Sequence, residues 1–142
     1  MAQLKAGTKV DGRIPADKIN HKHEIHVLMN LGEYSTTNTA YEDVSASEIY
    51  FNLANFYGYD IYFEANLAYL LGTGAWVRLW DIGNSVVLAE FNQTNGGGYN
   101  FTRFRSGAIT GVYATQLKVQ IKAEGTSSSA YVKAARLVLV PQ

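Results

Sequence analysis

Tyr59-Asp60-Ile61-Tyr62-Phe63-Glu64-Ala65-Asn66-Leu67-Ala68-Tyr69-Leu70 is the stretch whose reading decides the fold. Ile61, Phe63, Ala65, Leu67 and Tyr69 fall on one face, and Tyr62, Glu64, Asn66 and Ala68 on the other. A period of two is that of a strand with one face in a core. Gly72-Thr73-Gly74 then signals a turn. Beyond it, Ala75–Ile82, the pair Gly83-Asn84 and Ser85–Phe91 read as a hairpin.

The same pattern continues outward in both directions. Thr115–Ala123 alternates, with Leu117, Val119 and Ile121 inward and Lys118, Gln120 and Lys122 outward. Ala130–Val140 reads as a last strand, with Tyr131, Ala135, Leu137 and Leu139 alternating against Val132, Ala134, Val138 and Val140. His23–Met29, Ser47–Leu53, Tyr99–Phe104 and Ala108–Thr110 complete the set, although Ser45–Phe56 also fits a helix. The two prolines, at 15 and 141, lie outside these strands, where no ladder donor is lost. Many short strands with frequent turn signals predict an all-β, jelly-roll-like antiparallel β-sandwich spanning residues 23–142.

Residues 1–22 differ. Gly7, Gly12, Pro15 and several charges leave the apolar positions too sparse for an amphipathic element. They read as an extended N-terminal arm whose Leu4, Val10, Ile14 and Ile19 anchor it on a partner, or as a frayed terminus. Their charge and lack of an apolar run argue against a signal peptide.

A chain of 142 residues buries one core. With 47% apolar and 17% charged residues it is a folding composition, not a disordered one. Lys plus Arg and Asp plus Glu both total 12, so no global field draws it to nucleic acid or an anionic membrane, and neither partner is expected. Zero net charge and strands apolar on both faces favour a homo-oligomer. No run of about 18 apolar residues is present to span a membrane. The absence of cysteine removes disulfides and thiolate metal sites.

Few residues suggest catalysis. His21 and His23 share a face if extended, but a catalytic zinc needs a third protein ligand, so no metal or other cofactor is expected. Asp60, Glu64, Asp81 and Glu90 lie in or beside strands; a glycosidase would need two of them facing across a bond, Glu64 and Asp81 being the ones to mutate. Nucleophile-elbow and phosphate-loop motifs are missing, and Gly96–Gly98 precedes neither a helix nor a lysine. The chain therefore reads as built to bind or assemble, not as an enzyme.

Aromatics are the unusual feature, with 10 Tyr, 6 Phe and 2 Trp. Trp76, Arg78 and Trp80 share one strand face, which is either core around a paired Arg or an outer stacked surface. With Tyr62 and Tyr99 they are the candidate contacts to a glycan or to another subunit.

Val77-Arg78-Leu79-Trp80-Asp81, Phe101-Thr102-Arg103-Phe104-Arg105-Ser106, Leu117-Lys118-Val119-Gln120-Ile121-Lys122 and Ala134-Ala135-Arg136-Leu137-Val138-Leu139-Val140 follow one another in an order that resembles a β-sandwich module of phage and prophage structural proteins. The likeness covers about residues 75–140 and, loosely, the arm; Trp80 stands where that family commonly has Tyr. The resemblance implies a capsid decoration (cement) protein or tail-fibre tip, usually trimeric. It would be located in the virion, assembled in the host cytoplasm and bound to other virion proteins, with no catalytic residues. The alternative is a carbohydrate-binding or receptor-binding β-sandwich that recognises a glycan through exposed aromatics.

Overall fold

In a computed structural model of the chain, residues 23–29, 31–110 and 114–142 are described. The arm anchors Leu4, Val10, Ile14 and Ile19, and also His21, lie outside the described residues. Strands are β1 (Glu24–Val27), β2 (Tyr34–Thr36), β3 (Glu42–Asp43), β4 (Ile49–Asn52), β5 (Tyr59–Tyr69), β6 (Ala75–Asp81), β7 (Val86–Gln93), β8 (Thr102–Arg105), β9 (Ala114–Ala123) and β10 (Ala130–Pro141). One 3-10 turn, Leu53–Phe56, follows β4, with the Asn52 side chain accepting from the Ala54 amide. The sequence around Ser45–Phe56 that fits either strand or helix is thus half of each.

Among the described residues all pairings are antiparallel, in two five-stranded sheets. Sheet A runs β1-β10-β5-β8, with β2 also on β10; sheet B runs β3-β9-β6-β7, with β4 also on β9. The predicted jelly-roll-like β-sandwich is the observed architecture. Its core lies between the sheets: Phe63, Leu67, Leu137 and Leu139 from sheet A meet Val77, Leu79, Val119 and Ile121 from sheet B, all essentially inaccessible. Phe63 stacks on Phe91 at 5.3 Å between centroids and Phe104 stacks on Phe91 at 5.5 Å, joining the sheets toward their β7 and β8 edges. Such ring pairs add to plain area burial.

Register decides which residues reach each outer face, and two bulges reset it. In β10 the register shifts between Lys133 and Arg136, with Ala134 at φ 55°. The extra residue corrects the expected alternation: Val132 joins Ala135, Leu137 and Leu139 in the core, while Tyr131 points the other way, paired with Ala68. A second shift between Leu79 and Trp80 kinks the β6–β7 hairpin. Ala108–Thr110 is not a strand; only the Ile109 amide bonds to the Ile61 carbonyl, at 2.8 Å. At one end, the turn after β5 packs on the β9–β10 turn. Gly72 has φ +86°, and a Cβ there would sit 1.9 Å from Ser128 Oγ, which accepts from the Thr73 amide.

Candidate functional site

The candidate contacts separate onto the two outer faces. Trp76, Arg78 and Trp80 alternate with the buried Val77 and Leu79, so they lie on the outer face of sheet B, each half-buried. The face is an outer one, but Arg78 stacks on Tyr41 and Trp80 rather than between the two tryptophans, and the rings are occupied. The Arg78 guanidinium lies 3.9 Å from the Tyr41 centroid and 4.6 Å from that of Trp80, and its Nε donates to Gln120 Oε1 at 2.7 Å. Lys122 lies over Tyr41 and Trp76 at 4.9 and 5.3 Å. Trp76 Nε1 donates to the Glu124 carboxylate, and the Tyr41 hydroxyl to Glu90 Oε2 at 2.6 Å. Burial first, then the bond to Glu90, pushes the Tyr41 phenol far up, so it remains a neutral donor. Lys118 pairs with Asp43 at 2.9 Å. Of the cations on this face, Lys118 is paired with Asp43 and Arg78 and Lys122 lie against rings, while Glu90 and Glu124 accept from Tyr41 and Trp76.

The outer face of sheet A is a ladder of cross-strand rows. Ser35, Tyr131 and Ala68 form one row; Lys133, Asn66 and Arg103 the next; Val27, Arg136, Glu64 and Arg105 the third; Ile25, Val138 and Tyr62 the fourth. Glu64 is buried and held between two guanidiniums, Arg105 Nε at 2.5 Å and Arg136 Nη2 at 2.8 Å. Burial raises its carboxyl, but the hydrogen bonds and charges of Arg136 and Arg105 outweigh this and leave it below its ordinary value. Tyr62 carries the Arg105 guanidinium 5.2 Å from its ring centroid. Tyr99, in the loop between β7 and β8, has φ 67° and meets Tyr131 edge-on at 5.0 Å and Phe101 at 5.2 Å. Its hydroxyl donates to Glu33, a bond that raises the phenol. Lys133 Nζ lies 4.0 Å from the Phe101 centroid.

Where this ladder meets the end of the sandwich, a cleft of about 410 Å³ opens, lined by Ser35, Thr36, Thr37, Asn38, Glu42, Ser129 and Tyr131. The lining is hydroxyl, amide and carboxylate apart from the Tyr131 ring. Glu42 organises it: its carboxylate accepts from Thr36 Oγ1 at 2.6 Å, from the Tyr34 hydroxyl and from the Asn38 side-chain amide. The Thr36 and Tyr34 hydrogen bonds lower its carboxyl against the opposing effect of burial. Thr36 Oγ1 also accepts from the Asn38 amide at 3.0 Å, which fixes the turn.

Tyr99 is therefore brought beside this cleft, Tyr62 lies three rows along the same face, and the Trp76–Arg78–Trp80 group lies on the opposite face. None of the residues that line the cleft was singled out as a contact by sequence reasoning; the dense run Ser35-Thr36-Thr37-Asn38-Thr39 is the signal that marks them.

The remaining candidates fall apart. Glu64 is on the outer face of sheet A and Asp81 on the inner face of sheet B, where it accepts from Thr115 Oγ1 at 2.5 Å and Asn84 Nδ2 at 2.8 Å and fixes the hairpin turn. His23 is exposed, and His26 meets the Phe56 ring edge-on at 5.0 Å. Among the described residues no group of three or more His, Asp or Glu is placed to hold a metal ion. No described helix is long and apolar enough to cross a membrane.

No family model matches the sequence, and no curated protein matches it significantly. Among solved structures the chain is similar to the CBM36-1 domain of a multidomain xylanase from the hindgut metagenome of Trinervitermes trinervoides. That match has 10% identity and a TM-score of 0.51, over 85% of this chain and 98% of that one. A carbohydrate-binding module CBM36 in complex with calcium and xylotriose follows at 17% identity and a TM-score of 0.47, over 77% and 99%. The structure of infectious bursal disease virus Gx strain matches at 12% identity and a TM-score of 0.39, over 83% and 35%. At such identities the first likeness speaks to the fold alone, a β-sandwich.

Proposed function

We propose that this β-sandwich is a non-catalytic glycan-binding module whose site is the cleft at Tyr131. The observation that carries the reading is the lining of that cleft, hydroxyls and amides around a prearranged carboxylate, with one aromatic ring on the wall. Sugars present hydroxyls in the ring plane and C–H groups on the ring face, so a site for them needs polar groups converging beside an aromatic plane. Tyr99 braces Tyr131 edge-on. The sandwich shared with a module that carries the carbohydrate-binding name is consistent with the reading. A glycan array tests it: the protein is expected to bind one structural class of glycan, and Tyr131→Ala to lose it. Failure to bind any glycan would overturn the reading.

The virion-assembly reading keeps one specific support. Ile25 and Val27 of β1, 55% and 62% exposed, put apolar surface on the outer face of sheet A. Such a surface suits contact with another subunit. Light scattering is expected to return an oligomer of the 15.7 kDa chain if this reading holds, and a monomer if it does not.

A further inference from the structure

Two neighbouring rows of the sheet A face each set two cations about a central residue, and that central residue is charged in one and neutral in the other. In one, Arg136 and Arg105 flank Glu64, and both pair with it. In the other, Lys133 and Arg103 flank Asn66, at the same register across the same three strands. Asn66 is neutral, so the second row holds two cations with no carboxylate between them. Among the described residues neither cation has an ion-pair partner: Lys133 lies over the Phe101 ring, as Lys122 does over rings on sheet B, and Arg103 is exposed with neither a carboxylate nor a ring beside it. Residues two apart along a strand are about 7 Å apart, so this row adjoins Tyr131 and the cleft.

We infer that the row Lys133–Asn66–Arg103 is an anion subsite, and that the glycan it serves is acidic. The ligand's carboxylate would lie over Asn66 between the two cations, serving them as Glu64 serves the two guanidiniums of the next row. It would receive charge-assisted hydrogen bonds from the Arg103 fork and Lys133, while Asn66 offers an amide N–H. The exposed Tyr99 would carry the ring of the same sugar. Glu42 settles the polarity of the chain. Its ionised carboxylate in the cleft repels an acidic unit there, so a neutral sugar occupies the cleft and the acidic one lies on the row. Glu33 at the Tyr99 hydroxyl and Asp60, bonded by Gln142 Nε2 at 3.0 Å, flank the face, and neither is paired across the row. This inference rests on the proposed glycan-binding function.

The test is titration with an oligosaccharide alternating N-acetylglucosamine and glucuronate, and with the same oligosaccharide after its carboxyls are reduced to alcohols. The acidic form is expected to bind about tenfold more tightly at low salt, the advantage fading as salt screens it. Asn66→Asp supplies the missing carboxylate from within, so it is expected to bring the two ligands within about twofold of each other, whereas Asn66→Gln keeps the preference. Arg103→Ala, on an exposed side chain, is expected to weaken the acidic ligand alone. Equal binding of both oligosaccharides, or equal binding of duplex DNA at the same ionic strength, would overturn the acidic subsite and leave glycan binding standing. Binding of neither, with a neutral glycan captured on the array, also removes the subsite alone; binding of no glycan at all removes both.

Discussion

The two outer faces of the sandwich use aromatic rings and cations in opposite ways. On sheet B each cation meets a carboxylate or a ring of the same chain: Arg78 is sandwiched by Tyr41 and Trp80, and Lys118 is held by Asp43. Sheet A buries one carboxylate between two arginines, then repeats the row with a neutral residue at its centre. The face with more tryptophan is thus internally satisfied, and the face with tyrosines, a cleft and an unmatched row is the one with bonding capacity left over. Ring content alone does not make a binding surface; unspent donors beside a ring do.

The largest way to break this contrast is Glu64→Ala. It leaves two guanidiniums facing each other without their carboxylate and is expected to cost about 3 kcal/mol, at the low end for a buried pair because Arg105 is nearly half exposed. Urea denaturation would read it as a lower midpoint with an unchanged slope. Acid comes next. Because the folded Glu64 carboxyl lies below its ordinary value of 4.5, its stabilisation is complete above that value. It is lost as pH falls through 4.5 to the lower folded value, where the unfolded state binds protons first. Glu64→Gln is expected to flatten that limb in melts taken between neutral and acid pH.

A smaller effect belongs to sheet B. Trp80→Ala removes one side of the Arg78 sandwich and is expected to cost about 1 kcal/mol in thermal melts. Asp43→Asn, which breaks an exposed pair, is expected to change stability by less than about 1 kcal/mol. If Asp43→Asn cost as much as Glu64→Ala, the contrast between the faces would fail.

Much of the fold was legible because β5, β6 and β9 alternate cleanly with one face in the core, which fixes both strand and orientation. The misreading of β10 came from a single extra residue at Ala134. Alternation cannot reveal a bulge when both faces are apolar, and the shift exchanged Val132 with Tyr131. Strands β2 and β3, of three and two residues, carry no period to read. The site was less legible for a related reason. Tyr62 and Tyr99 were singled out, but the cleft joins Ser35–Glu42 to Ser129–Tyr131, and the unmatched row joins residues 66, 103 and 133. Those associations exist only once strand pairing is known, since register is a long-range property. Trp76, Arg78 and Trp80 were conspicuous by type, and only the packing of Tyr41 and Lys122 shows that their rings are occupied.

On the proposed function, glycan binds on the Tyr131 face and not on the tryptophan face. Titration calorimetry of the array-selected glycan against the unaltered protein, Tyr131→Ala and Trp80→Ala tests it most directly. The account predicts at least about tenfold weaker binding for Tyr131→Ala and a change within about twofold for Trp80→Ala. Loss of binding in Trp80→Ala with Tyr131→Ala unaffected would contradict it and move the site to sheet B.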